Sequence, residues 1–170
     1  MISNWLRSFE LMLKSEGGFV NDPRDSGGMT NLGVTKATWE NYIGRQSDEK
    51  EMRGLTPYKV EPLYRNKYFN AVRGDELQVG IDYLMFDFAV NAGVGRAIKT
   101  LQDAVGVNPD GGFGLITMAA VQAVDPQELI ERFSQAKEAF YRGLDNFDVY
   151  GVGWLNRVAD VKVKATSMLA

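Results

Sequence analysis

A glutamate on the apolar side of a helix, followed within nine residues by two aspartates, is the arrangement in this sequence best suited to chemistry. Ile2, Trp5, Phe9, Met12 and Glu16 recur at the three-to-four spacing of one helical face, widened by Leu6 and Leu13. Arg7, Glu10, Lys14 and Ser15 fall elsewhere, so Glu16 stands on the stripe that glutamates normally avoid. Burial there disfavours an ionised carboxyl, and the negative end of the helix macrodipole opposes it as well. Both push towards a carboxylic acid that keeps its proton near neutral pH, as a general acid for glycosidic cleavage must. Asp22 and Asp25 follow on a glycine-rich excursion that can double back and bring a second carboxylate across a cleft. Two carboxyls on opposite sides of a sugar are the apparatus of glycoside hydrolysis. The plainer readings are a glutamate at an exposed helix end and aspartates that only make turns.

Other side chains are candidates for contact rather than chemistry. Thr30 and Thr35 can hold a water or a sugar hydroxyl. Asp87 and Asn91 lie four apart on one helical face. Asp87, between two phenylalanines, reads as a structural hydrogen-bonding group and Asn91 as the substrate contact. Trp39, Tyr42 and Tyr58 are weaker candidates for sugar platforms, since aromatics at helical spacing more often build a core.

Composition narrows the field. The 170 residues contain no cysteine and no histidine, which removes disulfide scaffolds, thiol nucleophiles, Ser-His-Asp triads and His- or Cys-bound zinc. No cofactor and no metal are expected. Nineteen basic against twenty-two acidic residues give a net charge of -3, without the basic stripe of a nucleic-acid binder. Neither a secretory leader nor an apolar run long enough for membrane insertion is visible.

These residues need elements to position them. The first helix is expected from about Ser3 or Asn4 to Glu16, closed by Gly17-Gly18. Residues 17–35 are rich in glycine and turn formers and read as a small irregular β lobe. Thr35 can cap a short helix carrying Trp39 and Tyr42, and another short helix covers 48–53. Thr56-Pro57 starts a helix towards Phe69 that Pro62 kinks or restarts. Residues 80–92 read as a central buried helix, followed by helices over 96–105, 117–124, 125–142 and 153–167. The fold class is therefore mainly α (α+β), a helical bundle around a central buried helix with one small β lobe.

The run from Ser15 to Thr35, SEGGFVNDPRDSGGMTNLGVT, closely resembles the signature of glycoside hydrolase family 108, the N-acetylmuramidases of phage endolysins and related bacterial proteins. That signature begins Glu-Gly-Gly-Tyr, continues Asp-Pro-x-Asp-x-Gly-Gly and ends Thr-Asn-x-Gly-Ile-Thr, with Phe19 and Val34 as conservative replacements here. Downstream, Phe86 to Gly93 with Arg96-Ala97 and Leu101-Gln102 is similar to the start of the family's predicted peptidoglycan region. Asp110-Gly111, Gly114 and Thr117 resemble its turn, with Leu115 where proline is usual, and Gly153 to Arg157 its closing segment.

The resemblance implies one lysozyme-like domain over 1–170, made of a catalytic muramidase region (1–85) and a helical predicted peptidoglycan-binding region (86–170). It implies cleavage of the β-1,4 bond between N-acetylmuramic acid and N-acetylglucosamine, with Glu16 as the catalytic glutamate. Phage-type lysozymes are a more distant comparison: their Glu, Asp and Thr are separated by eight and then five residues. Glu16 and Asp25 keep the first spacing, and Thr30 falls one residue early. Asp25 and Thr30 are thus the further catalytic candidates, Asp22 rivals Asp25, and Asp22, Asn31, Thr35 and Asn91 are candidates for substrate binding. The expected partner is the glycan strand of bacterial peptidoglycan, met by a monomer. An endolysin of this kind is made in the host cytoplasm and reaches the periplasm or wall after a holin-type protein releases it. Two alternatives stay open: a lytic transglycosylase on the same fold, and a non-catalytic peptidoglycan-binding protein.

Overall fold

The computed structural model describes residues 4–24 and 27–170. Ile2 and Ser3, read above as part of the first helix and its start, lie outside the described residues. The chain divides into two compact units, Leu6–Lys67 and the combination of Met1–Trp5 with Tyr68–Ala170.

The smaller unit is built from α1 (Trp5–Leu13), a three-stranded antiparallel sheet of β1 (Val20–Asn21), β2 (Met29–Asn31) and β3 (Val34–Thr35), and then α2 (Lys36–Ile43), α3 (Glu49–Arg53) and α4 (Pro57–Tyr64). Val20 pairs with Thr30, and Thr30 with Thr35. Each later helix starts where a short polar side chain supplies a cap. Thr35 accepts the amide of Thr38, Asp48 that of Glu51, and Thr56 that of Lys59 with Pro57 next in line. Met12, Val34, Trp39, Met52, Val60, Leu63 and Tyr64 are buried and form this unit's core.

Three details differ from the sequence reading. α1 ends at Leu13, and the amides of Ser15 and Glu16 reach back only three residues, to Met12 and Leu13 at 3.0 Å each. Glu16 therefore sits one tight turn past the helix rather than on its face. Leu6, assigned to the buried stripe, is 63% exposed. Pro62 does not interrupt α4; it removes one donor, and the helix widens into a π-helical turn over Arg65–Phe69 only after Tyr64.

The larger unit carries a 3-10 turn (Gly74–Glu76), then α5 (Ile81–Ala92), α6 (Val94–Val105), α7 (Leu115–Ala123), α8 (Pro126–Arg142) and α9 (Phe147–Ser167). α5 is buried from Ile81 through Ala89 and packs against α6, α8 and α9, as a central helix should. Its start requires glycine. Gly80 has φ +94°, and a Cβ there would lie 2.7 Å from the Ala165 carbonyl oxygen. The Phe88 ring meets Phe133 and Phe140 edge-on, with centroids 5.8 and 5.6 Å away. α7 begins two residues before Thr117, with Leu115 in the first helical position, where proline also fits. α9 begins at Phe147, ahead of Gly153, and takes Gly151 into its interior. A Cβ at Gly151 would lie 2.6 Å from the Phe147 ring, so packing outweighs glycine's low helix propensity.

Asp87 turns inward among these aromatics, 1% exposed. Its Oδ2 accepts from Lys137 Nζ at 2.6 Å, and its Oδ1 from Arg157 Nη2 at 2.8 Å and Nε at 3.2 Å. Burial alone would push this carboxyl up, but the Lys137 and Arg157 charges and their hydrogen bonds outweigh it and hold Asp87 below the usual carboxylate range. Lys137→Met should cost about 3–5 kcal/mol in urea denaturation, because it strips one partner from a buried charge. A folded-state value below the unfolded one means that Asp87 contributes stability above pH ~3.9, lost as pH falls through the lower folded value. Acid unfolding curves of the wild type should therefore fall off below about pH 4, with a shallower slope in Asp87→Asn.

Candidate active site

The site is assembled around a hairpin turn. β2 and β3 are joined by Leu32-Gly33 alone, and both residues have positive φ, 51° and 74°. Two-residue hairpin loops of this kind match the twist of the strands they join, but they strain a leucine. The strain is offset by clamping. Leu32 donates its amide to the Gly17 carbonyl at 3.2 Å, and its own carbonyl accepts from the Tyr64 hydroxyl at 2.8 Å.

Gly33 brings bare backbone against the Glu16 carboxyl. A Cβ on Gly33 would lie 2.6 Å from Tyr64 Oη, 2.8 Å from Glu16 Oε2 and 2.9 Å from Glu16 Cδ. Glu16 is half-buried, its position set by the tight turn after α1. The carboxyl, the phenol and the turn thus share one small volume. Tyr64 is 1% exposed, with its ring 5.8 Å from that of Phe9 on α1, so α1 and α4 both fix this corner.

The other expected residues have varied settings. Asp25 lies outside the described residues. Asp22 accepts from the Arg24 side chain at 3.0 and 2.8 Å and from the Arg24 amide at 2.9 Å. Those bonds, the side-chain ones foremost, hold its carboxyl below the ordinary value. Thr30 is half-buried in β2, opposite Thr35 in β3. Asn31 is 5% exposed, and its amide donates to the Met52 carbonyl at 2.9 Å. This side chain, a candidate for substrate binding, pegs β2 to α3. Thr35 hydroxyl is engaged in capping α2 and in a 3.0 Å bond to the Thr38 hydroxyl. Asn91 belongs to the larger unit and donates to the Asp87 carbonyl at 2.6 Å.

Of the aromatic candidates, Trp39 is buried and donates from Nε1 to Glu51, while Tyr42 and Tyr58 are exposed. Tyr58 and Leu32 line a groove of about 710 Å³ along α1 and α4, with Leu6, Phe9 and Leu13. Glu16 is not among its walls. Sequence reasoning missed Tyr64, since a tyrosine one residue after Leu63 on a buried face reads as core, and nothing local links it to Glu16. Among the described residues no cluster of three or more acidic, histidine or cysteine side chains is placed to hold a metal ion.

A mainly α fold with a small β lobe and a half-buried glutamate at its hairpin is that of a glycoside hydrolase of the lysozyme-like class. The model of the family described as glycosyl hydrolase 108 matches residues 9–93, and that of the predicted peptidoglycan domain matches residues 96–159. A solved structure, described as that of Brucella abortus SagA, is 38% identical, with a TM-score of 0.87 over 97% of this chain and 95% of that one. No curated protein matches the chain. The chain belongs to glycosyl hydrolase family 108.

Gly33→Ala should abolish most wall-degrading activity, because the new methyl must displace either Glu16 or Tyr64. Its positive φ adds strain of about 1 kcal/mol or more, readable as a lowered melting temperature. Tyr64→Phe, which deletes one hydrogen bond, should cost about 1 kcal/mol in stability. Activity should fall more steeply than that cost alone predicts if the hydroxyl holds the turn in place.

Proposed function

We propose that this peptidoglycan hydrolase is an N-acetylmuramidase that cuts the β-1,4 bond between N-acetylmuramic acid and N-acetylglucosamine. The observation that carries the reading is the Glu16 carboxyl, held half-buried against the backbone of the Gly33 turn. There Glu16 protonates the glycosidic oxygen as the bond to the muramic anomeric carbon breaks. Asp25 stabilises the positive charge that develops on the sugar, and Thr30 orients the water. One water is consumed overall: its hydroxyl joins the anomeric carbon, and its proton replaces the one Glu16 gave away. Asp22 is the lesser candidate for the second carboxylate, because Arg24 already occupies both of its oxygens.

The substrate residues we assign follow from the same settings. Thr30 and Asn91 are proposed as substrate contacts of their own units, while the Thr35 hydroxyl and the Asn31 amide are engaged at the turn and its neighbours. No described helix is long and apolar enough to cross a membrane. We further propose an endolysin role: a monomer made in the host cytoplasm, released by a holin-type protein and active on the wall.

Glu16→Gln tests the chemistry directly. Lysis of permeabilised cells should fall by about 10²–10⁴-fold while the melting temperature stays near that of the wild type. Unchanged lysis would remove Glu16 from the mechanism. Mass spectrometry of the digest should find reducing muramic acid ends; 1,6-anhydro ends in their place would make the enzyme a lytic transglycosylase.

A further inference from the structure

The larger unit holds a pocket of about 430 Å³ whose walls include Asn91, Ala92, Tyr141, Leu144, Trp154 and Arg157. Nothing in the chemistry proposed for Glu16 uses it beyond Asn91. Its aromatic rings are fixed by one another. Tyr141 and Trp154 stack with centroids 5.2 Å apart and planes at 26°, Tyr150 approaches Trp154 from 5.7 Å, and Phe88 meets Tyr141 edge-on at 5.9 Å. Among the described residues that line the pocket Arg157 alone is ionised, and its Nε and Nη2 are both bonded to Asp87 Oδ1.

Three neutral polar groups on these walls are without partners. The Tyr141 hydroxyl bonds no described residue, although the residue is only 7% exposed. Among the described residues Ser134 Oγ is the one fully enclosed side-chain polar atom that lacks a hydrogen bond. The Tyr141 hydroxyl must therefore reach open space, and the pocket is the space its side chain lines. The Trp154 indole N–H likewise donates to no described residue. Buried tyrosines and tryptophans ordinarily find partners for these groups. Asn91 faces the Asp87 carbonyl at 2.6 Å; a carbonyl only accepts, so the amide nitrogen is the group turned to it and the Asn91 oxygen is left as an acceptor.

Two donors and one acceptor beside the apolar Ala92 and Leu144 match a neutral ligand that carries a carbonyl, an N–H and a methyl. The acetamido group of an N-acetylhexosamine has all three. A peptide with free carboxylates would meet no unpaired cation on these walls. An unsubstituted sugar brings hydroxyls but no methyl for the apolar side.

We propose that this pocket binds the acetamido group of an N-acetylated hexose in the glycan strand of peptidoglycan. That the strand is peptidoglycan rests on the hydrolase reading above. The Tyr141 hydroxyl and the Trp154 N–H donate to the acetamido carbonyl, the acetamido N–H donates to the Asn91 oxygen, and the methyl lies against Leu144 and Ala92.

The sequence holds three tryptophans, so the Trp154 indole N–H resonance can be followed by itself in heteronuclear NMR spectra and assigned by its loss in Trp154→Phe. Titration of the full-length protein with tri-N-acetylchitotriose should move that resonance saturably. Tyr141→Phe should weaken the affinity read there about fivefold. Its melting temperature should stay at the wild-type value, because the hydroxyl it loses has no partner in the protein. Cellotriose, with a hydroxyl in place of each acetamido group, should bind more weakly by about tenfold or more. The assignment is overturned if chitotriose moves only Trp5 or Trp39, if cellotriose binds as well, or if Tyr141→Phe binds undiminished. It is equally overturned if L-Ala-γ-D-Glu-meso-diaminopimelate moves the Trp154 resonance and chitotriose does not. Wall hydrolysis measured in parallel keeps the two readings apart. Hydrolysis by a protein whose Trp154 ignores chitotriose removes this site alone, whereas a saturable shift without hydrolysis supports the site and removes the hydrolase reading.

Discussion

There is no room for a side chain at residue 33, and the smaller unit is organised around that fact. The Glu16 carboxyl and the Tyr64 hydroxyl both approach to within 3 Å of the place where a Cβ would stand. The chain must therefore pass this point as glycine, in a left-handed conformation that the two-residue hairpin loop demands of its neighbour Leu32 as well. Leucine tolerates that only because both of its backbone polar groups are bonded, to Gly17 and to Tyr64. Each of those two bonds contributes about 1 kcal/mol, comparable with the cost of the strain. The turn is thus held in a conformation that leucine would not adopt unaided, beside the Glu16 carboxyl.

The larger unit answers a different physical problem with the same economy. A carboxylate at the centre of a buried helix is costly unless its oxygens are fully paired. Lys137 from α8 and Arg157 from α9 pair them, so one charged group ties three helices together. Hydrophobic burial would hold α5, α8 and α9 near each other in many rotations; an ion triad admits far fewer. Arg157 is also the least buried of the three, which lets a group that serves the core contribute to a surface pocket.

Much of this was legible in the sequence, for identifiable reasons. The caps at Thr35, Asp48, Thr56 and Asp125 are local, since donor and acceptor lie within three residues, and all four mark helix starts as expected. The buried helix at α5 was visible from its nearly unbroken apolar run, and Asp87 as a structural group from its phenylalanine neighbours. The misreadings involve competition that a short window does not contain. α1 loses its last turn because the amides of Ser15 and Glu16 bond back three residues instead of four. Leu6 looked buried because spacing assigns a face without saying how wide the covering surface is. Tyr64 lies thirty-two residues beyond the carbonyl it bonds, and no periodicity reports a contact at that separation.

The residues of the glutamate motif divide by function in a way that the motif's letters hide. Asn31 and Thr35 are candidates for sugar contact, and the first also anchors β2 to α3 while the second caps α2. Asp22 closes its own turn by accepting the Arg24 amide, and Gly33 supplies clearance. Among the described members of the run, Glu16 is the carboxyl that the turn presses against, and the neighbouring polar groups are spent on keeping the turn there. A general acid works only where its proton reaches one oxygen along one line, so the positional demand on a single carboxyl is severe. A two-residue turn, a threonine cap and a buried amide are what a chain with no histidine or cysteine can use to meet it. A dense polar motif around the proposed acid is therefore what positioning one proton donor needs for support, with several of its members serving the turn rather than the sugar.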